Sequence, residues 1–466
     1  MSMTRWPRAA AFVGVLALLG GIVGCSSSDG SSDSSSDGSD PATGDSMTIS
    51  VPEDHETIQG AVDAARPGAL ILVSPGTYNE QVEVSTENVT IRGLDRNTVI
   101  LDGEFDLENG VRALDTDGLV VENLTTRNYT SNGVFWSGVD GYRGSYLTAY
   151  RNGDYGVYAF DSINGQIDNS FASGSPDAGF YIGECYPCNA LLDNVVSEYN
   201  GLGYSGTNSG GDLFIVNSTF RFNRAGIVPN SGSYELCYPG RENTIIGNLI
   251  HSNNQADSPA IDVAMLAMGN GILVAGGTNN VVERNRVWDH ERTGIGLVPF
   301  PEEDASDNPP PVEDDTRPCA DTLDDELPDP DTIDTVLWPP RNNSIVGNTV
   351  EGSGLGDIAI GTLTEDPASL QNCFSDNTFT TSAPAELETL APCEGAGTGD
   401  WSNGALDLGS LIASERPPPG DYKVQPVPED QPTMADAATA PVTPAPTGPP
   451  TIDVSAIVVP DRPAGA

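Results

Sequence analysis

The chain has 466 residues, enough for two or three ordinary domains or for one elongated domain. Its 67 acidic residues against 20 basic ones give a formal net charge of −47 at pH 7, and Lys423 is its only lysine. So acidic a surface repels nucleic-acid phosphates and anionic lipid headgroups, which argues against DNA, RNA and polybasic membrane docking as functions.

The first 24 residues have the features of a targeting signal. Arg5 and Arg8 precede the apolar core AAAFVGVLALLGGIVG, which is short for a membrane span, and the segment ends at Cys25. Small residues before a cysteine resemble a bacterial lipoprotein signal, which implies a lipid on Cys25; the alternative is an ordinary secretion signal with an incidental cysteine. The Ser/Asp/Gly-rich residues 25–46 predict a flexible tether. We therefore expect an extracytoplasmic protein that meets the bacterial cell membrane only through this anchor.

A short helix is predicted next, in HETIQGAVDAARPG at residues 55–68. Its apolar face consists of Ile58, Ala61, Val62 and Ala65. The Pro-Gly pair at its end is a stop signal. We expect this helix to cap the open apolar end of the domain that follows, whose first strands are predicted in ALILVSPGTYNEQVEV and NVTIRGLDRNTVILDG.

The following sequence repeats short segments that are punctuated by Asn and Gly. One signature is a polar residue and Asn before an alternating apolar pair, at Asn123, Asn169, Asn194, Asn217, Asn248, Asn285, Asn348 and Asn377. The other is Gly-apolar-x-apolar, which begins at Gly133, Gly156, Gly179, Gly203, Gly226, Gly271 and Gly294. Early repeats are about 23 residues apart, and later ones are lengthened by inserted loops.

Units this short cannot bury an apolar face alone, so successive units must stack. Asn and Gly tolerate left-handed bends between strands, and stacked Asn side chains can form hydrogen-bonded ladders. We predict an all-β fold, a right-handed parallel β-helix over residues 47–398, with an acidic Pro-rich insertion at 299–341. A leucine-rich repeat would need an LxxLxL pattern, and a propeller would need longer blades rich in hairpins. Residues 399–466 are rich in Pro and Ala and predict a mostly disordered tail.

The run TIQGAVDAARPGALILVSPGTYNEQVEV resembles the opening of the pectate-lyase-like superfamily. That superfamily includes pectin methylesterases, polysaccharide lyases and the copper-loading periplasmic protein of nitrous oxide reductase maturation. The rest is similar to a broad group of right-handed β-helix repeat proteins, and the resemblance covers about residues 48–395. It implies the fold, but not one chemistry. The epimerase motif Tyr-Gly-x-Asp-Pro-His and the methylesterase blocks Gln-Asp-Thr and Asp-Phe-Ile-Phe are absent.

Six cysteines remain beyond the lipoprotein signal, and an even number outside the cytoplasm predicts three disulfides. They are Cys185, Cys188, Cys237, Cys319, Cys373 and Cys393. The Cys-Tyr-Pro-Cys pair, Cys185 and Cys188, is also compatible with a redox motif or half of a zinc site. No helix begins there to lower a thiol pKa, and no second CxxC supplies zinc ligands. We predict a staple across a turn, either within this pair or from one of its members to Cys237.

Stacking turns sequence positions into columns, counted from each repeat glycine. Positions +1 and +3 are expected to point inward, and +2 outward. The +2 column contains Phe135, Tyr158, Tyr181, Ser205, Val228 and Leu273. Neighbouring aromatic rings suit stacking with sugars, and the predicted substrate-binding residues are Tyr158, Tyr181, Ser205, Asn208 and Asn230. The alternative is that these rings are strand formers packed beneath a loop.

The +5 column places Asp161 and Glu184 on adjacent coils, which lie about 4.8 Å apart in a β-ladder. Two carboxylates at such a distance suit retaining glycoside hydrolysis, or one raises the pKa of the other. We predict Asp161 and Glu184 as the catalytic pair. The −2 column adds Asp154, Asp177 and Arg224. The alternative for each acid is a solvated turn in a very acidic protein.

 Three hypotheses follow from the sequence. The first is a lipid-anchored surface protein that binds a polysaccharide or surface glycan and cleaves it. The second is a non-catalytic adhesion or glycan-binding module. The third is a periplasmic metal-handling protein that uses Met265, Met268 and His251. No cofactor is predicted with certainty. Ca²⁺ is the one candidate, because it bridges polyanions to acidic surfaces and assists lyases. The arginine bases available to such a lyase are Arg143, Arg151, Arg221 and Arg224. We expect a monomer.

Overall fold

The computed structural model describes residues 47–303, 319 and 335–464. The predicted signal, Cys25 and the tether lie outside the described residues, as does most of the predicted insertion. None of the helices in the described part of the chain combines the length and apolarity needed to cross a membrane.

Three parallel sheets run through the described residues, and their strands are numbered here in chain order. The first sheet contains β1 (Thr48–Val51), β2 (Leu70–Val73), β5 (Thr90–Gly93), β8 (Val120–Glu122), β11 (Asp140–Ser145), β14 (Ile163–Asp168), β17 (Ala190–Asp193), β20 (Gly210–Val216), β23 (Arg241–Ile246), β26 (Val281–Glu283), β31 (Ser344–Val346) and β34 (Cys373–Ser375). The second contains β3 (Gly76–Tyr78), β6 (Val99–Asp102), β9 (Thr125–Arg127), β12 (Thr148–Tyr150), β15 (Phe171–Ser173), β18 (Val196–Glu198), β21 (Thr219–Arg221), β24 (Leu249–His251), β27 (Arg286–His290) and β32 (Thr349–Ser353). The third contains β4 (Val82–Val84), β7 (Val111–Leu114), β10 (Val134–Ser137), β13 (Val157–Phe160), β16 (Ala178–Gly183), β19 (Leu202–Thr207), β22 (Ala225–Asn230), β25 (Ile272–Ala275), β28 (Thr293–Val298), β33 (Gly356–Ile360) and β35 (Ser382–Ala383).

The chain visits the three sheets in turn, so each coil contributes one strand to each sheet. Val134 of β10 pairs with Val157 of β13, which pairs with Phe180 of β16, and one coil therefore spans 23 residues at this point. Parallel strands joined by crossovers of one hand form a solenoid, and such crossovers are right-handed. The predicted right-handed parallel β-helix is confirmed.

Inward-facing side chains fill the core of the solenoid. Val157, Ala159, Phe180 and Ile182, at the predicted +1 and +3 positions, are fully buried. Inward-facing and outward-facing positions alternate in the repeat because successive residues of a strand point to opposite faces of the sheet.

The repeat glycines are needed for a reason that the sequence did not reveal. A Cβ on Gly156 would lie 2.6 Å from the carbonyl oxygen of Gly179, and one on Gly226 would lie 2.3 Å from that of Gly271. Neither Gly156 nor Gly226 has a left-handed backbone. The glycine column therefore lets adjacent coils approach closely, instead of making the left-handed bends that the sequence analysis expected.

The asparagines have two distinct roles. A ladder of side-chain amides joins successive coils at 2.9–3.0 Å and consists of Asn248, Asn285, Asn348 and Asn377. The earlier members of the signature instead adopt left-handed backbone conformations, at Asn123, Asn169, Asn194 and Asn217. Strand pairing aligns Asn248 with Ser218 instead of Asn217, so the signature shifts by one residue between the two sets. The predicted ladder is confirmed for the later coils.

Four α-helices lie in the described residues: α1 (Ile58–Ala64), α2 (Asp262–Ala267), α3 (Leu387–Leu390) and α4 (Leu408–Ala413). The first forms where the sequence predicts it, and the Thr57 hydroxyl accepts a hydrogen bond from the Gly60 amide at 3.0 Å. Its buried residues pack towards β1, β2 and β4. Its role as a cap stays a prediction. Short 3-10 turns occupy Pro367–Leu370, Tyr422–Val424 and Val454–Ala456.

Three disulfides are present, which confirms the predicted number. They join Cys185 to Cys188, Cys237 to Cys319 and Cys373 to Cys393. The first staples the turn between β16 and β17. The second ties the loop at residues 231–240 to the predicted insertion, whose base is an antiparallel pair of strands, β29 (Phe300–Glu303) and β30 (Thr335–Trp338).

The C-terminal residues differ from the predicted disorder. Residues 417–462 contain little regular structure, but they follow a defined course across the outer surface of the first and second sheets. Buried arginines hold them, as where Arg92 donates to the carbonyl oxygen of Ala440 at 2.7 Å. Composition did not reveal this course, because the binding groups belong to coils far away in sequence.

Candidate functional site

The outer face of the third sheet carries the predicted aromatic column. Phe135 pairs in register with Tyr158, and Tyr158 with Tyr181. The ring centroids lie 4.9 Å apart in the first pair and 4.8 Å apart in the second. Phe135 and Tyr158 are half-buried, so part of this column is open to solvent.

Tyr155 extends the column, although the sequence analysis did not select it. It comes directly before Gly156, and its ring stacks on Tyr158 with centroids 4.2 Å apart and planes 8° apart. Its hydroxyl donates a hydrogen bond to Asp177 Oδ2 at 2.6 Å. The phenol of Tyr155 therefore joins the aromatic column to the acidic groups beside it.

A loop at residues 231–240, between β22 and β23, covers the next part of the column. Tyr181 is 1% exposed, and its hydroxyl donates to Glu235 Oε2 at 2.5 Å. Ser205, one coil further along, is also buried. The alternative that the sequence left open, an aromatic column packed beneath a loop, therefore applies to this part of the face.

Asn208 and Asn230 support that loop. The Asn208 side-chain amide donates to the carbonyl oxygens of Gly232 and Glu235 at 2.6 and 2.7 Å. The Asn230 amide donates to the Tyr234 hydroxyl at 2.8 Å. Both asparagines are buried, and their polar groups bind the protein itself, which differs from the expected contacts with sugar hydroxyls.

The last outward positions, Val228 and Leu273, also lie beneath other elements. They line an apolar cavity of about 80 Å³, whose wall includes residues of α2 and α4. The outer face of the third sheet thus changes along the solenoid from an open aromatic rim, through the covering loop, to a small apolar cavity.

Asp161 and Glu184 lie on adjacent coils, as the column predicts. The Asp161 amide donates to the carbonyl oxygen of Gly183, and the Glu184 amide donates to that of Thr207. Both residues have left-handed backbones and are 7% and 6% exposed. Their catalytic role stays a prediction.

A second acidic pair lies at the opposite edge of the same strands. The Asp177 amide donates to the carbonyl oxygen of Asp154 at 3.1 Å, which fixes the two residues on neighbouring coils. Burial, together with the charge of Asp154, raises the pKa of Asp177 to about 8, although the hydrogen bond from Tyr155 opposes the shift. Burial also raises the pKa of Asp154 to about 6. Between these pH values the pair holds one proton.

The acidic side chains at both edges of these strands interact electrostatically with the phenol of Tyr158. Burial raises the pKa of Tyr158 well above its usual range, and negative charge on Glu235, Asp154, Asp177 and Glu184 raises it further. Burial and the neighbouring Glu184 likewise raise the pKa of Glu235 well above its usual range. We call this group the acidic–tyrosine site, and its members are Asp154, Asp177, Glu184, Glu235, Tyr155, Tyr158 and Tyr181.

Sequence columns could not have identified Glu235. It lies in SGSYELCYPG, outside the repeat, and reaches the site because the loop folds back over the third sheet. Glu302 of β29 holds that loop, since its carboxylate accepts hydrogen bonds from the Ser233 amide and hydroxyl at 2.9 and 2.7 Å. Trp338 of β30 donates to the same carboxylate at 2.7 Å.

The residues considered for metal or lyase chemistry lie elsewhere. The His251 ring stacks on Trp288 with centroids 4.2 Å apart, whereas the Met268 sulfur accepts a hydrogen bond from Arg224. Across residues 47–303, 319 and 335–464, no group of three or more His, Cys, Asp or Glu side chains is placed to hold a metal ion. The four candidate arginine bases are engaged with carboxylates or backbone carbonyls: Arg143, Arg151, Arg221 and Arg224.

The fold and the site together define a right-handed parallel β-helix protein with an acidic, tyrosine-rich site on one outer face. No protein-family model matches the chain, and no curated protein matches its sequence.

Several solved structures are similar in fold. The A-module of mannuronan C-5 epimerase AlgE4 from Azotobacter vinelandii has 16% identity over 71% of this chain and 92% of its own, with a TM-score of 0.43. A mannuronic acid specific polysaccharide family 6 lyase from human gut microbiota has 13% identity over 72% of this chain and 83% of its own, with a TM-score of 0.41. Pectate lyase Pel9A has 13% identity over 84% of this chain and 89% of its own, with a TM-score of 0.37. At these values we draw no conclusion about activity from the similarities.

Proposed function

We propose that this protein binds a polysaccharide across the open rim of the acidic–tyrosine site and cleaves a glycosidic bond by acid–base catalysis. The single observation that carries the proposal is the Asp154–Asp177 pair, which shares one proton near neutral pH beside half-buried aromatic rings. Aromatic rings offer sugars an apolar surface, and paired carboxyls with separated pKa values offer an acid and a base.

Each residue of the pair has a distinct role in this proposal. Asp177 carries the proton at neutral pH and donates it to the glycosidic oxygen as the bond from that oxygen to the anomeric carbon breaks. Asp154 is ionised and attacks the anomeric carbon, or activates the water that does so. The backbones of neighbouring coils lie about 4.8 Å apart, and side chains that project in parallel from them suit the carboxyl separation of about 5 Å that retaining enzymes use. We therefore expect Asp154 to be the nucleophile.

Four variants test which acids act. Asp177→Asn and Asp154→Asn are each expected to lower the cleavage rate at least about 100-fold, the usual contribution of a positioned acid or base, while glycan binding remains. The matched variants Asp161→Asn and Glu184→Gln test the pair that the sequence predicted. Binding on a glycan array and release of reducing ends are measured separately. Full activity in Asp177→Asn together with loss in Asp161→Asn and Glu184→Gln would assign catalysis to the other pair.

The second candidate function is a non-catalytic glycan-binding module. It is favoured by the covering loop, which leaves only the rim around Phe135 and Tyr158 open. Phe135→Ala should then weaken glycan binding, and no chain should be shortened by the wild-type protein. Absence of binding to any glycan on the array would contradict both functions.

A further inference from the structure

A proline-rich segment, residues 417–462, lies across the outer surface of the solenoid and is called the strap below. Its only regular structure is the two 3-10 turns Tyr422–Val424 and Val454–Ala456, among the residues that the structure describes. Proline has no backbone N–H, so a segment rich in proline cannot extend a β-sheet. The carbonyl oxygens of the strap therefore need hydrogen-bond donors other than the backbone N–H groups of a neighbouring strand.

Guanidinium groups supply those donors. In the described part of the chain, six arginines of the solenoid donate to strap carbonyls at 2.5–3.2 Å: Arg92, Arg96, Arg151, Arg224, Arg284 and Arg286. Five of the accepting carbonyls belong to prolines: Pro417, Pro418, Pro432, Pro441 and Pro460. A guanidinium suits this task because it offers several N–H groups in one plane.

Three of these arginines, Arg92, Arg96 and Arg224, are buried with the strap in place. The first two illustrate the contacts. Arg92 is fully buried and pairs with Glu122 at 2.6 Å. Arg96 is 1% exposed, and it donates to the Thr148 hydroxyl at 3.0 Å and to the carbonyl oxygen of Pro432 at 2.9 Å. Burial of a charged group is costly unless its donors are satisfied. The strap supplies acceptors that these two guanidinium groups require.

Two asparagines bind the strap backbone beside the arginines. The Asn97 side chain donates to the Gln431 carbonyl oxygen and accepts from the Gln431 amide, both at 2.9 Å. Asn123 Oδ1 accepts from the Thr433 hydroxyl and the Met434 amide, both at 2.8 Å. Three of these four contacts bind main-chain groups of the strap, and the fourth binds the Thr433 hydroxyl.

The strap connects coils that are distant from one another. It begins near Arg224, reaches Arg96 close to the first coils, turns at Asp436 beside Arg92 and returns to Arg284 and Arg286. In a solenoid each coil otherwise contacts only its neighbours, so stability is a sum of local terms. A segment that crosses many coils adds ties between units that do not touch.

We propose that this arginine-lined surface is a binding groove for an extended, proline-rich chain, and that residues 417–462 occupy it within the same molecule and fasten the coils from Arg92 to Arg286 into one unit. Most of the contacts reach backbone carbonyls, which proline retains, so a proline-rich chain occupies the groove without leaving many N–H groups unpaired. This inference is independent of any activity at the acidic–tyrosine site.

The chain itself provides the test. Lys423 is the only lysine among 466 residues, and it is exposed, so lysyl endopeptidase cuts the native full-length protein once. The cut frees residues 424–466 from the covalent chain while leaving the contacts of Arg92, Arg96, Arg284 and Arg286 in place. We expect the cleaved fragment to co-elute with the body in size-exclusion chromatography, at the mass of one chain by light scattering.

Variants at the groove then change the release of the fragment. Arg284→Gln with Arg286→Gln, and separately Arg96→Gln, should release it about tenfold faster or more, as expected when charged hydrogen bonds are lost. Arg221→Gln is the matched control, because Arg221 lies on the second sheet and pairs with Glu198. The double variant keeps the test valid if Arg96→Gln does not fold.

Three outcomes would overturn the proposal. The wild-type fragment could separate from the body as soon as the chain is cut, or the groove variants could retain it as firmly as Arg221→Gln does. Co-elution at the mass of two chains would instead place the strap in the groove of a second copy.

Discussion

Asp177 combines burial with an acidic neighbour, and this has a consequence for stability. An unfolded aspartate has a pKa of about 3.9, whereas burial and Asp154 raise the pKa of Asp177 to about 8 in the folded chain. Between those values the folded state holds a proton that the unfolded state has lost. The free energy of unfolding therefore falls as pH rises, by up to about 1.4 kcal/mol per pH unit from this group.

Asp177→Asn should remove this dependence. The free energy of unfolding of the variant minus that of the wild type should increase between about pH 5 and pH 8 and stay level above about pH 9. Urea unfolding at several pH values measures the difference. The control is Asp102→Asn, since hydrogen bonds and Arg127 outweigh burial and lower the pKa of Asp102. Its difference should be constant over the same range, and a parallel slope in both variants would refute the assignment.

The positions of residues within the repeat predicted part of the candidate site. Tyr158, Asp154 and Asp177 lie at fixed offsets from repeat glycines, so the stacking of coils predicts which residues align with them. The burial of Tyr181, Asn208 and Asn230 was not predictable, because it results from the loop at residues 231–240, which has no repeat.

At the scale of the strand, the glycine column allows adjacent coils to stack closely. Gly156→Ala should lower the free energy of unfolding by about 1–3 kcal/mol, the usual cost of overpacking, because its Cβ would lie 2.6 Å from the Gly179 carbonyl oxygen. Gly448→Ala is the control, since a Cβ there meets nothing within 4 Å. It should change stability by less than about 0.5 kcal/mol. Equal effects in thermal or urea unfolding would show that close approach is not the reason for the column.

Strand order and register were predictable from the repeats. A shift of one residue would turn the apolar side chains of a strand outward, so the alternation in Val134–Ser137 and Val157–Phe160 fixes the pairing. The antiparallel pair β29 and β30 was missed, because composition alone marked that region as an irregular insertion.

At the scale of the whole molecule, charge and disulfides suggest where the protein works. We propose an extracytoplasmic location with a lipid anchor on Cys25. Three disulfides support an oxidising compartment. The chain should fractionate with bacterial membranes and require detergent for release, whereas Cys25→Ser should not. Ser26→Ala is the control, and membrane retention of Cys25→Ser equal to that of the control would contradict the anchor.

The sequence by itself determined the solenoid, its sheets and the columns on its faces, because a repeat carries its own register from coil to coil. Only the tertiary structure decided which part of the aromatic face is open, where Glu235 lies and how residues 417–462 run. Those features depend on single contacts between segments far apart in the chain, such as Ser233 with Glu302 and Arg96 with Pro432. No local pattern encodes a partner that lies 69 or 336 residues away in the chain, as in these two contacts.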